Sequence, residues 1–322
     1  MNLGGKESEV AGKDRAPTSI VIFCLVIAVW TMVAPGKAQV RGVYPLGMTA
    51  TNSGVTPEAG FTYTNQFLFY SRSELKDSSG QVTATGQNSV LMDMNSIVWV
   101  ARNKIAPLGG AIYSCVATLP LANNSLSSDT EGPIGGGGGF ADSYYQPLIL
   151  GWRTERADFR LHYGFLAPTG RYDSTSSNNV GSGYWTNAIA SGQTIYLTSD
   201  KATAISAFEL YEFHTTQQGT NIHPGQNLNL DYSVTRIFLL NPSLRFQLGL
   251  IGYEQWQTTD KTSPTITPAQ SAAHYRVNSL GFASNLTLPD RHTSVGFKFF
   301  QEFADSATFQ GHSFQITAAI SF

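Results

Sequence analysis

The sequence predicts an all-β protein: a transmembrane, antiparallel, up-and-down β-barrel of about 12 strands that follows a cleaved N-terminal signal peptide. Three observations predict this fold class. They are an export signal at the N-terminus, a long series of segments with alternating polarity, and a composition poor in charge. Only 13% of the 322 residues are charged, about half the usual share for a soluble domain. The 20 basic and 22 acidic residues give no basic excess, so we expect no nucleic-acid partner.

The first element is a targeting segment. Residues 1–15 are polar and carry Lys6, Lys13 and Arg15, and the apolar run Ile20–Val33 follows them. This run is shorter than the ~20 residues that a membrane-spanning helix needs. Gly36 and Ala38 supply the small side chains that signal peptidase requires, so we predict a signal peptide over residues 1–38. An uncleaved anchor helix is the alternative.

The second element is residues 39–59, which are rich in Gly and Thr and have no strand pattern. Two positions for this segment remain open. It lies either in the periplasm or inside the barrel as a plug. We predict the outer-membrane barrel itself over residues 60–322.

Alternation with a period of two residues is the repeating signal of the remaining chain. At the C-terminus, Phe314, Ile316 and Ala318 share one face, while Gln315 and Thr317 share the other. Connections rich in Gly, Ser, Asn and Pro alternate with short turns. Strands are predicted over residues 60–70, 89–100, 111–120, 143–152, 159–168, 185–197, 202–213, 226–237, 244–256, 275–286, 293–303 and 312–322.

Alternation alone does not separate a membrane barrel from a soluble β-sandwich, but three features favour the barrel. The polar faces carry mainly small uncharged residues. Strands of about ten residues, tilted by about 40°, reach ~25 Å, the height of the apolar band of outer-membrane barrels. Aromatic residues such as Trp99, Trp152 and Trp256 crowd the strand ends, as they do at membrane interfaces. We therefore expect apolar side chains to face lipid and hydrophilic ones to enclose an aqueous interior.

The C-terminal residue adds a targeting argument. Phe322 ends a predicted strand and resembles the C-terminal signature of bacterial outer-membrane proteins. We therefore predict a bacterial outer-membrane location. The expected partners are outer-membrane lipid, the barrel-assembly machinery through Phe322, and a small-molecule solute.

Several motifs, taken in order along the chain, resemble the outer-membrane family called "MetA-pathway of phenol degradation". The most specific is Pro168–Tyr172 at the end of a strand, and one departure is Thr220–His223, where an aromatic residue is expected. The resemblance implies a porin-like barrel linked to the uptake of aromatic, phenol-type compounds. The other motifs are Tyr44–Gly47, Tyr144–Pro147, Leu150–Trp152, Glu209–Glu212, Pro224–Gly225 and Leu248–Tyr253.

No motif of a nucleophilic, metal-dependent or nucleotide-binding enzyme occurs, so we expect no enzyme, no catalytic residue, no cofactor and no metal. An outer-membrane hydrolase is the remaining enzymatic alternative. His162 is its only plausible catalytic member, without an evident serine partner. The run Gly135–Gly139 predicts a flexible hinge in a long loop, and Cys115 predicts an inert thiol on a strand.

The candidate pore-lining residues lie on the polar faces of the strands, where Asp93 is also placed. Their charges either pair across the wall and keep the pore hydrated, or form a constriction that selects solutes by charge. Basic members could attract a phenolate or carboxylate, and aromatic members could stack on a ring. The ten candidates are Arg160, His162, Glu209, Tyr211, Asp231, Arg245, Tyr253, Lys298, Phe300 and Glu302.

The function predicted from these observations is a porin-like channel or transporter for small solutes, with aromatic, phenol-type compounds as candidates. A non-transporting barrel with a structural or adhesive role is the alternative from a different class.

Overall fold

The structure is a computed structural model that describes residues 41–322. The predicted signal peptide, residues 1–38, and its cleavage site lie outside the described residues. Within residues 41–322, no helix is long and apolar enough to cross a membrane.

Strands dominate the described chain, with two short 3-10 helices (Ala106–Leu108 and Pro289–Arg291) and one short α-helix (Pro268–Ala272) in connections. The strands are β1 (Gly60–Lys76), β2 (Val82–Ile105), β3 (Ala111–Ser128), β4 (Gly132–Phe140), β5 (Ser143–Arg153), β6 (Ala157–Ala167), β7 (Thr186–Tyr196), β8 (Thr203–His214), β9 (Asn227–Asn241), β10 (Leu244–Gln257), β11 (Arg276–Leu288), β12 (Thr293–Glu302) and β13 (Phe309–Ser321).

Twelve of these strands close into one antiparallel barrel, because β1 pairs with β13 and β2 pairs with β3. The remaining strand, β4, pairs only with the outer part of β3. Closure leaves no unpaired sheet edge in the wall, which is what a sheet in lipid requires. The predicted 12-stranded up-and-down barrel is therefore confirmed.

The two ends of the barrel differ in their connections. The start of β1 and Phe322 lie at the same end of the barrel. There the Phe322 N–H donates to the Phe61 carbonyl at 2.8 Å. The short turns, such as Asn241–Leu244 between β9 and β10, lie at this end. Outer-membrane barrels place short turns in the periplasm and longer loops outside. We therefore call this end periplasmic and the opposite end extracellular.

The outer surface of the wall is apolar. Leu119, Leu161, Leu250 and Ile316 are among the large hydrophobic side chains that it exposes. This face would be unfavourable in water but is the expected one in a bilayer. At the periplasmic end, the Trp99 and Tyr113 rings meet edge-on at 5.8 Å, as part of an aromatic girdle.

Three strands continue beyond the membrane on the extracellular side. Residues 71–88 and 121–142, predicted as loops, instead contain the ends of β1, β2 and β3 and the whole of β4. Both faces of this extension are largely exposed, so it lacks the alternation that identified the other strands.

The glycine run is part of this extension, so the predicted hinge at Gly135–Gly139 is wrong. These residues pair with β3 as strand β4. The Gly136 N–H donates to the Ser177 carbonyl of the β6–β7 loop at 3.2 Å. A Cβ atom on Gly137 would lie 2.4 Å from the Asn178 carbonyl oxygen of that loop. Glycine is needed here because another backbone packs directly on the strand.

Candidate functional site

Residues 41–59 contact the inner face of the barrel along its whole length. Arg41 binds Glu302 at the extracellular end of β12, and the Tyr44 hydroxyl binds Asp231 further down. The Gly54 N–H donates to the Thr194 hydroxyl of β7, near the periplasmic end. We call residues 41–59 the lumen segment. These contacts are those of a segment inside the barrel, the second of the two positions left open by the sequence. The predicted boundary between the signal peptide and this segment, after residue 38, stays a prediction.

The outer end of the lumen segment is held by buried charges. Arg41 Nη1 lies 2.6 Å from Glu302 Oε1, and Nη2 lies 3.5 Å from Asp305 Oδ2. Arg41 Nε also donates to the Thr308 hydroxyl at 3.0 Å. Arg72 of β1 approaches the same Glu302 carboxylate at 3.6 Å. Buried charges persist only when they are paired and hydrogen-bonded, and Arg41 and Glu302 meet that condition.

A tight turn in the lumen segment is clamped from two sides. The Asp231 carboxylate accepts from the Tyr44 hydroxyl at 2.7 Å and from the Gly47 N–H at 2.9 Å. From the other wall, Lys298 Nζ donates to the carbonyls of Gly47 at 2.9 Å and Met48 at 2.6 Å. The turn requires glycine, because Gly47 has φ +77° and a Cβ atom there would lie 2.3 Å from the Phe300 ring.

Part of the interior beside this turn is apolar, which corrects the expectation of a wholly hydrophilic lumen. Tyr44, Leu46 and Ala50 of the lumen segment form one buried cluster with wall residues that include Phe208 and Leu210. A chain segment inside the barrel excludes water, so the facing wall is built to pack against it.

Two of the predicted pore-lining residues, Glu209 and Tyr211, do not face the lumen. On β8, Phe208 and Leu210 are 1% and 2% exposed and point inward, so Glu209 and Tyr211 point outward. Glu209 Oε2 accepts from the Ser191 hydroxyl at 2.8 Å, on the outer face of β7. The polarity of β8 is inverted over residues 208–211, because its inner face meets the lumen segment there rather than water.

Asp93, which was predicted on the lumen side of its strand, lies on the outer face instead. On β2, Met94 is buried inside, whereas Asp93 shares the outer face with the exposed Ile97. The Asp93 carboxylate accepts from the Asn65 side-chain amide of β1. The outer wall therefore carries two hydrogen-bonded carboxylates among its apolar side chains.

The other eight candidates lie on the inner face, spread along the lumen segment rather than in one cluster. His162 contacts Phe208 edge-on at 5.5 Å, and its Nδ1 lies 3.4 Å from the Gln146 amide. Within residues 41–322, no hydroxyl group is hydrogen-bonded to His162. Arg245 shares the face of Gln247 at the exposed periplasmic end. The eight are Arg160, His162, Asp231, Arg245, Tyr253, Lys298, Phe300 and Glu302.

Two cavities lie beside the lumen segment. The larger has a volume of about 350 Å³ and is lined by Arg160, Lys298 and several amide and hydroxyl side chains. The smaller has a volume of about 50 Å³, is mainly apolar, and lies nearer the extracellular end, where Met92 and Met94 line it. Both cavities are lined by Met48, Thr118 and Tyr144, so these side chains stand between them.

Sequence reasoning missed Met48, Tyr144 and Gln146 as lining residues. A usable signal was present, because Tyr144 and Gln146 belong to one of the motifs that carried the family resemblance. Within residues 41–322, no cluster of His, Cys, Asp and Glu could hold a metal ion.

Comparisons with known proteins agree with this architecture. No curated protein matches the chain by sequence. Among solved structures, an outer membrane channel from Pseudomonas putida F1 is similar with a TM-score of 0.65 at 11% identity, over 84% of this chain and 98% of that one. The β domain of the Bordetella autotransporter BrkA has a TM-score of 0.49 at 11% identity, over 82% of this chain and 100% of that one. The first likeness shows the fold.

The sequence model of the family "MetA-pathway of phenol degradation" matches residues 72–318. This match covers more than half of the chain and includes most of the barrel wall. The protein therefore belongs to the MetA-pathway of phenol degradation family and is a β-barrel of the bacterial outer membrane.

Proposed function

We propose that the protein is an outer-membrane channel for small solutes, with aromatic, phenol-type compounds as its substrates. The observation that carries this proposal is the pair of adjoining cavities beside the lumen segment. Eight-stranded barrels are filled by side chains, whereas porins of about 16 strands hold open channels. A 12-stranded barrel that also encloses a chain segment leaves only a narrow path, along one side of that segment.

The two cavities suit the two parts of such a solute. Met92, Met94 and Pro120 offer apolar contact in the smaller cavity. Arg160 and Gln247 offer hydrogen bonds to a hydroxyl or carboxylate group in the larger one. The family's link to phenol degradation and the channel from Pseudomonas putida with the same fold also support this function.

The path is restricted where the cavities meet. The smaller cavity, at about 50 Å³, is too small for a monocyclic aromatic solute without movement of its lining. Met48 is the side chain best suited to move, because methionine is unbranched and has three rotatable bonds. We therefore propose Met48 and Tyr144 as the constriction.

Planar-bilayer recordings of the purified full chain test this function. We expect small conductance steps for the natural protein, larger steps for Tyr144→Ala, and unchanged steps for Tyr172→Ala, which alters an extracellular loop. A barrel that stays silent in all three forms would contradict the proposal and favour the structural or adhesive alternative.

We also propose that Phe322 is the contact for the barrel-assembly machinery. Phe322 is 79% exposed at the periplasmic end, next to the start of β1. Deleting it should slow assembly in cells but leave refolding in detergent unchanged, and equal assembly rates in cells would contradict this role.

A further inference from the structure

We infer that the larger cavity is a binding site for one small organic anion, such as a monocyclic carboxylate. The inference deepens the proposed function and rests on it, because the cavity lies on the proposed path. It assigns to the cavity a ligand of defined charge, size and polarity. A pore that is merely wider at this level would not prefer a solute of one charge and size over another.

The charge of the cavity is the first argument. Arg160 on β6 and Lys298 on β12 both line it, and no Asp or Glu side chain does. Neither cation forms a salt bridge in the part of the chain that the structure describes. Asp231, which does not line the cavity, offsets part of the Lys298 charge, but two cations beside one carboxylate still leave a positive potential that an anionic ligand would neutralise.

The donors of the two cations are only partly used. Arg160 Nε donates to the Ser53 carbonyl at 2.9 Å. Within residues 41–322 this is the only hydrogen bond of that guanidinium, so both Nη groups are left for a ligand. Lys298 Nζ donates to two backbone carbonyls of the lumen segment, and an ammonium group carries three donors. Each cation therefore retains a donor for a carboxylate oxygen.

Size and apolar surface define the rest of the ligand. The volume of about 350 Å³ lies at the lower end of the range for small-molecule sites. Val98 and Val116, from neighbouring strands β2 and β3, line the cavity together with Met48. These side chains offer contact to one ring or a short alkyl group. The Tyr144 hydroxyl accepts from Gln146 at 3.3 Å, so its own proton can be donated to the ligand.

Arg160 and Lys298 also hold the lumen segment in place, so the experiment has to separate ligand binding from a structural role. Benzoate and benzyl alcohol are suitable probes, because they share a ring and differ in charge. Both are applied to the purified full chain, in bilayer recordings and in titration calorimetry. Arg160→Gln and Lys298→Gln remove one charge each, whereas Arg160→Lys keeps the charge. Arg236→Gln, on the outer face of β9, is the matched control.

We expect anion selectivity from the reversal potential in a KCl gradient, and saturable block by benzoate but not by benzyl alcohol. Arg160→Gln and Lys298→Gln should each weaken the benzoate affinity at least tenfold and shift selectivity toward cations. Arg160→Lys should keep most of the affinity, and Arg236→Gln should keep all of it. Heat-modifiable migration of each variant on gels verifies the folded barrel.

The outcomes separate the two proposals. Conductance with equal effects of both probes, or with benzoate block unchanged in Arg160→Gln and Lys298→Gln, overturns the anion site and leaves the channel standing. Saturable benzoate binding by a barrel that never conducts overturns the channel and leaves the site standing. Neither conductance nor binding overturns both.

Discussion

Arg41 and Glu302 form a buried ion pair, with 2.6 Å between Nη1 and Oε1, that joins the start of the lumen segment to the extracellular end of β12. The Glu302 side chain is 1% exposed, and it also accepts from the Tyr253 hydroxyl and the Gly311 N–H. Glu302 therefore binds the outer end of the lumen segment and two groups of the barrel wall at once.

Replacing Arg41 by Ala should loosen the lumen segment without unfolding the barrel. Removal of one partner from a buried ion pair costs about 3–5 kcal/mol when the other charge is left uncompensated, and Arg72, 3.6 Å from Glu302, offsets part of this cost. Release of residues 41–44 can relieve that cost, because water then reaches Glu302. We expect larger and noisier single-channel conductance for Arg41→Ala than for Arg41→Lys. Identical traces for the two variants would show that this anchor does not restrict the pore.

The extracellular loop that holds Arg41 should become less stable in alkaline solution. Burial and the neighbouring Glu302 carboxylate raise the pKa of Asp305 to about 8. A carboxyl group with a raised pKa stabilises the folded loop below its unfolded pKa, and this contribution is lost as the pH rises through the folded pKa. Amide hydrogen exchange of residues 303–311, corrected for intrinsic rates, should therefore accelerate from about pH 6 to about pH 8 and level off once the pH exceeds the folded pKa. Asp305→Asn should flatten this dependence, whereas Asp173→Asn in another loop should preserve it.

Gly47→Ala should destabilise the turn of the lumen segment more than backbone strain alone explains. Gly132 has nearly the same φ, +76° against +77°, but a Cβ atom there meets nothing within 4 Å. The strain of a left-handed residue costs about 1–2 kcal/mol at either site, and crowding against Phe300 adds about 1–3 kcal/mol only at Gly47. Urea unfolding of the two Ala variants in liposomes measures the difference. Equal midpoints would mean that the Phe300 ring moves aside freely.

Glu209→Leu should stabilise the barrel. The Glu209 carboxylate lies on the outer face of β8 near the middle of the strand, and ionisable groups on a lipid face are unfavourable. Glu209→Gln, which retains hydrogen bonds to Ser191 and Gln193, should fall between the natural protein and the Leu variant. The midpoint of urea unfolding in liposomes measures the order. A lower midpoint for Glu209→Leu would show that the polar cluster is needed in the membrane.

The barrel could be predicted from the sequence because each membrane strand has one face in lipid. Phe314 and Ile316 on β13 show this regularity clearly. The same argument failed where a strand leaves the membrane. The glycine run of β4 has no side chains to alternate, and the loop backbone that packs on Gly137 is distant in the sequence.

The inner face was predicted less well than the outer one. A polar residue on a barrel strand was assumed to face inward, which holds for Asp231 and Lys298 but not for Glu209. The difference arises from the lumen segment, which buries Phe208 and Leu210 against Tyr44. No local pattern in β8 reveals that its inner neighbour is another stretch of the same chain. The position of Arg41 beside Glu302 is likewise a contact between residues at opposite ends of the sequence.

The direction of the lumen segment has a consequence for biogenesis. Its described residues start at the extracellular mouth and descend to Gly60, where the chain reverses into β1 and rises again. Insertion of residues 41–59 into a finished ring would require the charged Arg41 side chain to travel the length of the lumen. We therefore expect the β1–β13 seam to close around a polypeptide that is already in position, and mutations in residues 41–59 to delay maturation of the barrel.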